Sequence, residues 1–73
     1  MSEKSAVLKL EGNVVECLRG QKFLVKLKDN DHQVHCIVAG RMRRRKIRVI
    51  YGDDVVIEMT PYDLTKGRII GIA

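Results

Sequence analysis

Between Arg41 and Arg48 the chain carries five arginines and one lysine in eight positions, with no acid among them. Arginine presents a planar fork of donors that meets a phosphate with two parallel hydrogen bonds and can stack on a base, and lysine adds a point charge. Arg41, Arg43, Arg44, Arg45, Lys46 and Arg48 therefore form a probe suited to a phosphate-lined groove. Two plainer readings compete, a solvated charged face and a contact for an acidic protein. A solvated face usually intersperses acids among its bases, and this window has none. The full chain holds 14 Lys and Arg against 9 Asp and Glu, a net charge of +5. Outside the window eight basic groups face nine acids, so the rest of the chain is close to neutral. Charge focused in this way points to an anionic partner.

Other chemistry is poorly supplied. A metal site would have to draw on Cys17, His32, His35 and Cys36. If residues 32–39 form a strand, His32 and His35 face opposite ways. His32 and Cys36 then share a face but stand about 13 Å apart at ~3.3 Å per residue. The close Cys and His spacings of zinc sites are missing. Ser2 and Ser5 lie at the N-terminus, Thr60 and Thr65 flank an expected turn, and there is no Gly-rich phosphate cradle. Asp53 and Asp54 would point apart at the opening of a strand. These residues predict a protein that is not an enzyme and needs neither metal nor cofactor. The two cysteines are expected as free thiols, buried or half-buried.

The elements that must hold the basic window follow from the rest of the pattern. Seventy-three residues allow one small core. With 45% hydrophobic and 32% charged residues the composition is that of a folding chain. No apolar run approaches the ~20 residues that span a bilayer. Met1 to Ser5 lacks a hydrophobic signal core, so a soluble cytoplasmic protein without membrane contact is expected. Residues 1–5 are expected as a flexible tail and 6–73 as a single domain.

Alternation with a period of two dominates that domain. Phe23, Val25 and Leu27 share one face, as do Val34, Cys36 and Val38, and the cluster Asp29-Asn30-Asp31 turns between the two runs. Leu8 to Leu18 predicts a long strand interrupted at Gly12, where a bulge or coil would let it serve both sides of a barrel. Val55, Ile57 and Met59 mark a fourth strand. Pro61 to Gly67 predicts a turn, and Arg68 to Ile72 the last strand. Gly40 to Lys46 breaks the period and predicts a turn or two of helix. Arg41 with Arg45, and Arg44 with Arg48, are like charges four apart, so such a helix needs Met42, with Ile47, to anchor it. The expectation is all-β: a five-stranded OB-fold barrel with a short helix between strands three and four. An SH3-like barrel competes, but its helical element falls between the last two strands.

Only three aromatics occur, Phe23, Tyr51 and Tyr62, and Phe23 belongs to the core face. Single-strand binders on this fold line their groove with several rings. The shortage favours docking on folded RNA through backbone, shape and inserted arginines. Lys66 and Arg68 extend the expected RNA-binding footprint, and Arg19 and Lys22 are weaker candidates.

Several segments together resemble bacterial translation initiation factor one, of the S1-like OB-fold family. They are Gly12-x-Val14-x-Glu16, Phe23-x-Val25-x-Leu27, Gly40-Arg41-Met42-Arg43, Ile47-Arg48-Val49 and Gly52-Asp53. The run Thr60-Pro61-Tyr62-Asp63-Leu64-Thr65-Lys66-Gly67-Arg68-Ile69 is the most specific of them. The resemblance implies a monomeric factor that binds the small ribosomal subunit at the decoding A site. Its partners there would be the rRNA of the decoding centre and a neighbouring ribosomal protein. It would block premature tRNA entry and aid initiation factors two and three. In that family the segment after the third strand enters a minor groove and flips out bases, a role that falls here on Arg41, Met42, Arg43 and Arg48. The chain departs from the family at Lys46, where an aromatic residue is common, and in the extra charges of Arg44 and Arg45. Its Asn30-Asp31-His32 replaces a common Asn-Gly-His turn, and Ile70-Gly71-Ile72-Ala73 replaces a basic C-terminus. A general single-strand RNA chaperone of the cold-shock type, and a protein-interaction module, are the alternative functions.

Overall fold

Side chains that alternate inward and outward leave this chain with one apolar face per strand, and closing the sheet on itself buries all of those faces together. The computed structural model describes residues 7–73; the expected tail, 1–5, lies outside the described residues. The strands are β1 (Leu8–Leu18), β2 (Lys22–Leu27), β3 (Gln33–Val38), β4 (Asp54–Thr60) and β5 (Asp63–Ile72), with helix α1 (Gly40–Arg44) between β3 and β4. They close into a barrel in the order β1-β2-β3-β5-β4. Neighbours run antiparallel except β3 and β5, which are parallel. This is the OB-fold expected from the strand order, with the helix in its predicted place.

β1 works for both halves of the barrel. Leu8 to Asn13 pair with β4 and Gly12 to Leu18 with β2, so Gly12 faces Leu27 on one side and Val55 on the other. The strand coils through Gly12 without a break in register, and the irregularity falls between Val14 and Glu16 instead. The core is Val14, Phe23, Val25, Leu27, Val34, Cys36, Val38, Met42, Val55, Ile57, Met59 and Ile69. It contains every inward position that the alternation of β2, β3 and β4 assigned. Burying each such side chain is worth roughly 1.5–3 kcal/mol against exposure.

Three expectations are corrected. The turn predicted from Pro61 to Gly67 is confined to Pro61 and Tyr62, and β5 starts at Asp63, opposite Thr60. Local side-chain bonds gave this stretch its turn-like chemistry. Thr60 Oγ1 accepts the Tyr62 N–H at 3.0 Å, and Asp63 Oδ1 accepts the Thr65 N–H at 3.0 Å and its hydroxyl at 2.6 Å. Gly67 is a mid-strand position where neighbouring strands press close: a Cβ there would lie 3.2 Å from Val34 Cγ1 and 3.3 Å from both Cys36 Sγ and the Glu58 carbonyl oxygen. His32 precedes β3 rather than belonging to it. Its Nε2 lies 2.7 Å from the Leu64 carbonyl oxygen and its N–H donates to Asn30 Oδ1 at 3.1 Å, which fastens the β2–β3 turn to β5. Cys17 is exposed, since it pairs with Phe23 near the end of β1, beyond the irregularity. Cys36 is buried, and burial pushes its thiol up to about 12.

Candidate nucleic-acid interface

The basic window leaves the barrel at Ala39, whose N–H donates to the Ile69 carbonyl of β5 at 2.9 Å. The Ala39 carbonyl then accepts the N–H groups of Met42 and Arg43 at 3.0 and 3.1 Å, which opens α1. A helix of five residues is not self-supporting in water. This one lacks a side-chain cap and any acid in its first turn, and only the basic groups of its last turn suit the helix dipole. Its stability comes from Met42, 3% exposed and part of the core. Met42, expected among the RNA-binding residues, therefore seats the helix while its neighbours face solvent. Ile47, expected as a second anchor, is 39% exposed.

Two bonds close the helix. Lys46 N–H donates to the Arg43 carbonyl and Ile47 N–H to the Met42 carbonyl, both at 3.0 Å, the paired contacts of a Schellman motif. The residue that reverses the chain is Lys46, at φ 58°. Glycine usually occupies this left-handed position, and a residue with a Cβ there costs about 1–2 kcal/mol. The chain keeps a charge at the tip against that cost.

Beyond Arg48 the backbone is fastened again. Ile50 to Asp53 form a turn closed by Asp53 N–H to the Ile50 carbonyl at 3.1 Å, with Gly52 at φ 91° in the third position of a type II turn. Asp53 Oδ2 accepts the Ile50 N–H at 3.0 Å. Gly52 N–H donates to the Val14 carbonyl, Val14 N–H to the Asp53 carbonyl, and Asn13 Nδ2 to the Gly52 carbonyl, each at 2.9 Å. Asn13 also donates to Asp54 Oδ1 at 3.0 Å. That bond, with Lys28 at 3.6 Å, holds the Asp54 carboxyl below the usual carboxylate range. The window is thus tied to β5 at its start and to β1 after its end.

The ion pairs among the described residues all lie outside the window. On the barrel, Lys26 meets Asp31 at 3.8 Å, Lys28 meets Glu11 at 3.8 Å and Asp54 at 3.6 Å, and Arg68 meets Glu58 at 3.7 Å. Among the described residues, none of Arg41, Arg43, Arg44, Arg45, Lys46 and Arg48 makes an ion pair, and all six are exposed. Next to them lies an open concavity of about 560 Å³. Phe23, Val38, Ile47, Val49 and Ile50 give it apolar walls, and Arg43, Lys46, Arg48 and Gln21 give it polar ones. Sequence reasoning missed this hollow. Of its apolar lining only the half-buried Val49 and the exposed Ile47 and Ile50 carried a signal, an apolar series with no strand to belong to.

Lys66 and Arg68 are not brought to this concavity. They stand on β5 opposite His35 and Ile37 and line a separate hollow of about 360 Å³ with Ile37 and Glu58. Tyr51 and Tyr62 are 72% and 82% exposed. They flank β4 at its two ends, about 20 Å apart at ~3.3 Å per residue.

A barrel of this order, with a basic segment projecting between β3 and β4, matches known proteins over nearly its whole length. Residues 3–73 match the family described as translation initiation factor 1A / IF-1. The chain belongs to this family. Among solved structures it is similar to translation initiation factor one from the Wolbachia endosymbiont strain TRS of Brugia malayi. The identity is 44% and the TM-score 0.78, over 96% of this chain and 82% of that one. YjeQ from Thermotoga maritima matches at 23% identity and a TM-score of 0.73, over 90% of this chain and 23% of that one. YloQ, a circularly permuted GTPase, matches at 24% identity and 0.72, with the same coverage. These two likenesses concern the fold alone. No helix among the described residues is long and apolar enough to cross a membrane.

Proposed function

We propose that this chain is a non-catalytic, cofactor-free monomer of the cytoplasm that occupies the decoding A site of the small ribosomal subunit. Residues 6–73 act as one RNA-binding domain. Arg41, Arg43, Arg44, Arg45, Lys46 and Arg48 meet the phosphates of decoding-centre rRNA, and Met42 holds them in place from the core. A neighbouring ribosomal protein completes the site, premature tRNA entry is blocked sterically, and initiation factors two and three act beside it. One observation carries the reading. Among the described residues the ion pairs lie on the barrel, at Lys26, Lys28 and Arg68, and its other cations are scattered, while the six exposed charges of the window are contiguous and find no acid. Each is left for an external anion, on a backbone pinned at both ends.

The concavity adds to this reading. Its apolar walls beside three cationic side chains suit an unstacked base whose phosphate lies on the rim. Lys66 and Arg68, around the barrel on β5, act as a secondary contact at most one strand wide. Against a general single-strand chaperone stands the separation of the two exposed tyrosines, which cannot form one continuous stacking platform.

Chemical footprinting of small-subunit rRNA with and without the protein tests the proposal. Protection should concentrate in the decoding centre and fade when Arg43 and Arg48 are both replaced by alanine. Protection elsewhere, or a footprint indifferent to those substitutions, refutes it.

A further inference from the structure

We infer that Tyr51 is an additional RNA contact, a stacking ring for one unstacked base of the small-subunit RNA. It would supply at the Ile50–Asp53 turn the aromatic surface that the basic window itself lacks. The inference rests on the proposed RNA-binding role of the window.

An aromatic ring 72% exposed at a turn gains nothing from the core. What the fold gives this residue is rigidity. Tyr51 occupies the second position of the turn, and Gly52, at φ 91°, is the residue that permits it. Bonds from Asp53 close the turn from within, and bonds from Val14 and Asn13 fix it on β1. A ring on so fixed a backbone loses little conformational freedom when it is covered.

Its neighbours give the ring its place. Ile50, immediately before it in the chain, and Arg48, three residues before it, both line the concavity that Arg43 and Lys46 also border. An RNA strand held at its phosphates by those cations brings its bases to the same end of the barrel. Tyr62, by contrast, stands at the far end of β4 and shares none of these neighbours. Stacking on an aromatic ring is sequence-tolerant and apolar in origin, so it complements phosphate contacts without adding charge.

Sedimentation with isolated small ribosomal subunits at several salt concentrations, for wild type, Tyr51→Phe, Tyr51→Leu, Tyr51→Ala and Arg43→Ala, tests the inference. Tyr51→Phe should bind within about twofold of wild type, and Tyr51→Ala roughly 5- to 150-fold more weakly. Tyr51→Leu should fall between them, because it keeps apolar area and loses the ring face. The log–log salt slope should stay unchanged in all three, whereas Arg43→Ala should make it shallower by about 0.7–0.9. Tyr51→Ala equal to wild type, Tyr51→Leu equal to Tyr51→Phe, or a changed slope overturns the stacking role while the window's role stands. Wild-type protein that does not bind the subunits overturns both.

Discussion

Salt dependence is where the division of charge becomes measurable. Each phosphate neutralised by Lys or Arg releases counterions, so the logarithm of the binding constant falls linearly with the logarithm of salt concentration, by about 0.7–0.9 per contact. Six cations of the window lack an acid partner among the described residues. If all six touch phosphate, the slope is about −4 to −5, and raising salt from about 50 to 200 mM weakens binding roughly 250- to 1000-fold. The double variant Arg43→Ala/Arg48→Ala removes two of these contacts and should make the slope shallower by about 1.5. Arg68→Ala is the internal control. That guanidinium already lies 3.7 Å from Glu58, and the pair presents little net charge to an anion. Its removal should change the slope by less than half of what Arg43→Ala does. The assay is co-sedimentation with small subunits across a salt series, with the fold checked by circular dichroism. A wild-type slope shallower than about −1, or an Arg68→Ala effect equal to that of Arg43→Ala, would refute the reasoning.

Other consequences concern the supports of the window. Met42→Ala removes the buried anchor of α1 and should lower unfolding stability by about 2–5 kcal/mol in chemical denaturation, with subunit binding weakened at matched folded fraction. Lys46→Gly relieves the left-handed backbone and should raise stability by up to about 1 kcal/mol while making the salt slope shallower by one contact; a loss of stability would mean that Lys46 is not strained. Cys36 titrates near 9 when unfolded and at about 12 in the barrel. Its contribution is therefore whole below pH 9 and is lost as pH rises toward 12, by about 1.4 kcal/mol per pH unit. Denaturation curves of wild type and Cys36→Ala should accordingly converge as pH rises above 9, and parallel pH dependences would count against burial of the thiol.

Most of the barrel was legible because inward and outward positions alternate with few exceptions. Phe23, Val25 and Leu27, or Val55, Ile57 and Met59, leave one choice of inner face, and the like charges of the window required an apolar anchor, which Met42 provides and Ile47, also expected, does not. Where reading failed, chemistry with two uses was at fault. The Thr60 to Gly67 stretch carries turn-forming side chains, yet the residues after Tyr62 lie in a strand, and Gly67 is there for closeness of packing rather than reversal. Lys46 adopts a conformation that sequence would assign to glycine. The concavity was illegible for another reason: its walls come from β2 and the turn before it, from β3, from α1 and from the loop after it, and only the folded barrel brings them together. No local pattern encodes such a surface.

The parallel pair of β3 and β5 has a consequence for the molecule's own synthesis. His35 to Val38 meet Lys66 to Ile69, so the barrel is shut by the strand made last. The same strand supplies the Ile69 carbonyl that receives the Ala39 N–H and fixes where the arginine segment begins. Until residues 63–72 have emerged, the β3–β5 and β4–β5 pairings are unmade and the barrel stays open, and the long-range β3–β5 pairing is of a kind that is slow to form. The basic segment is translated well before it is shaped. A nascent copy of this factor therefore carries its charge through the synthesis of β4 and β5 without the geometry to use it, and becomes competent only when the final strand docks.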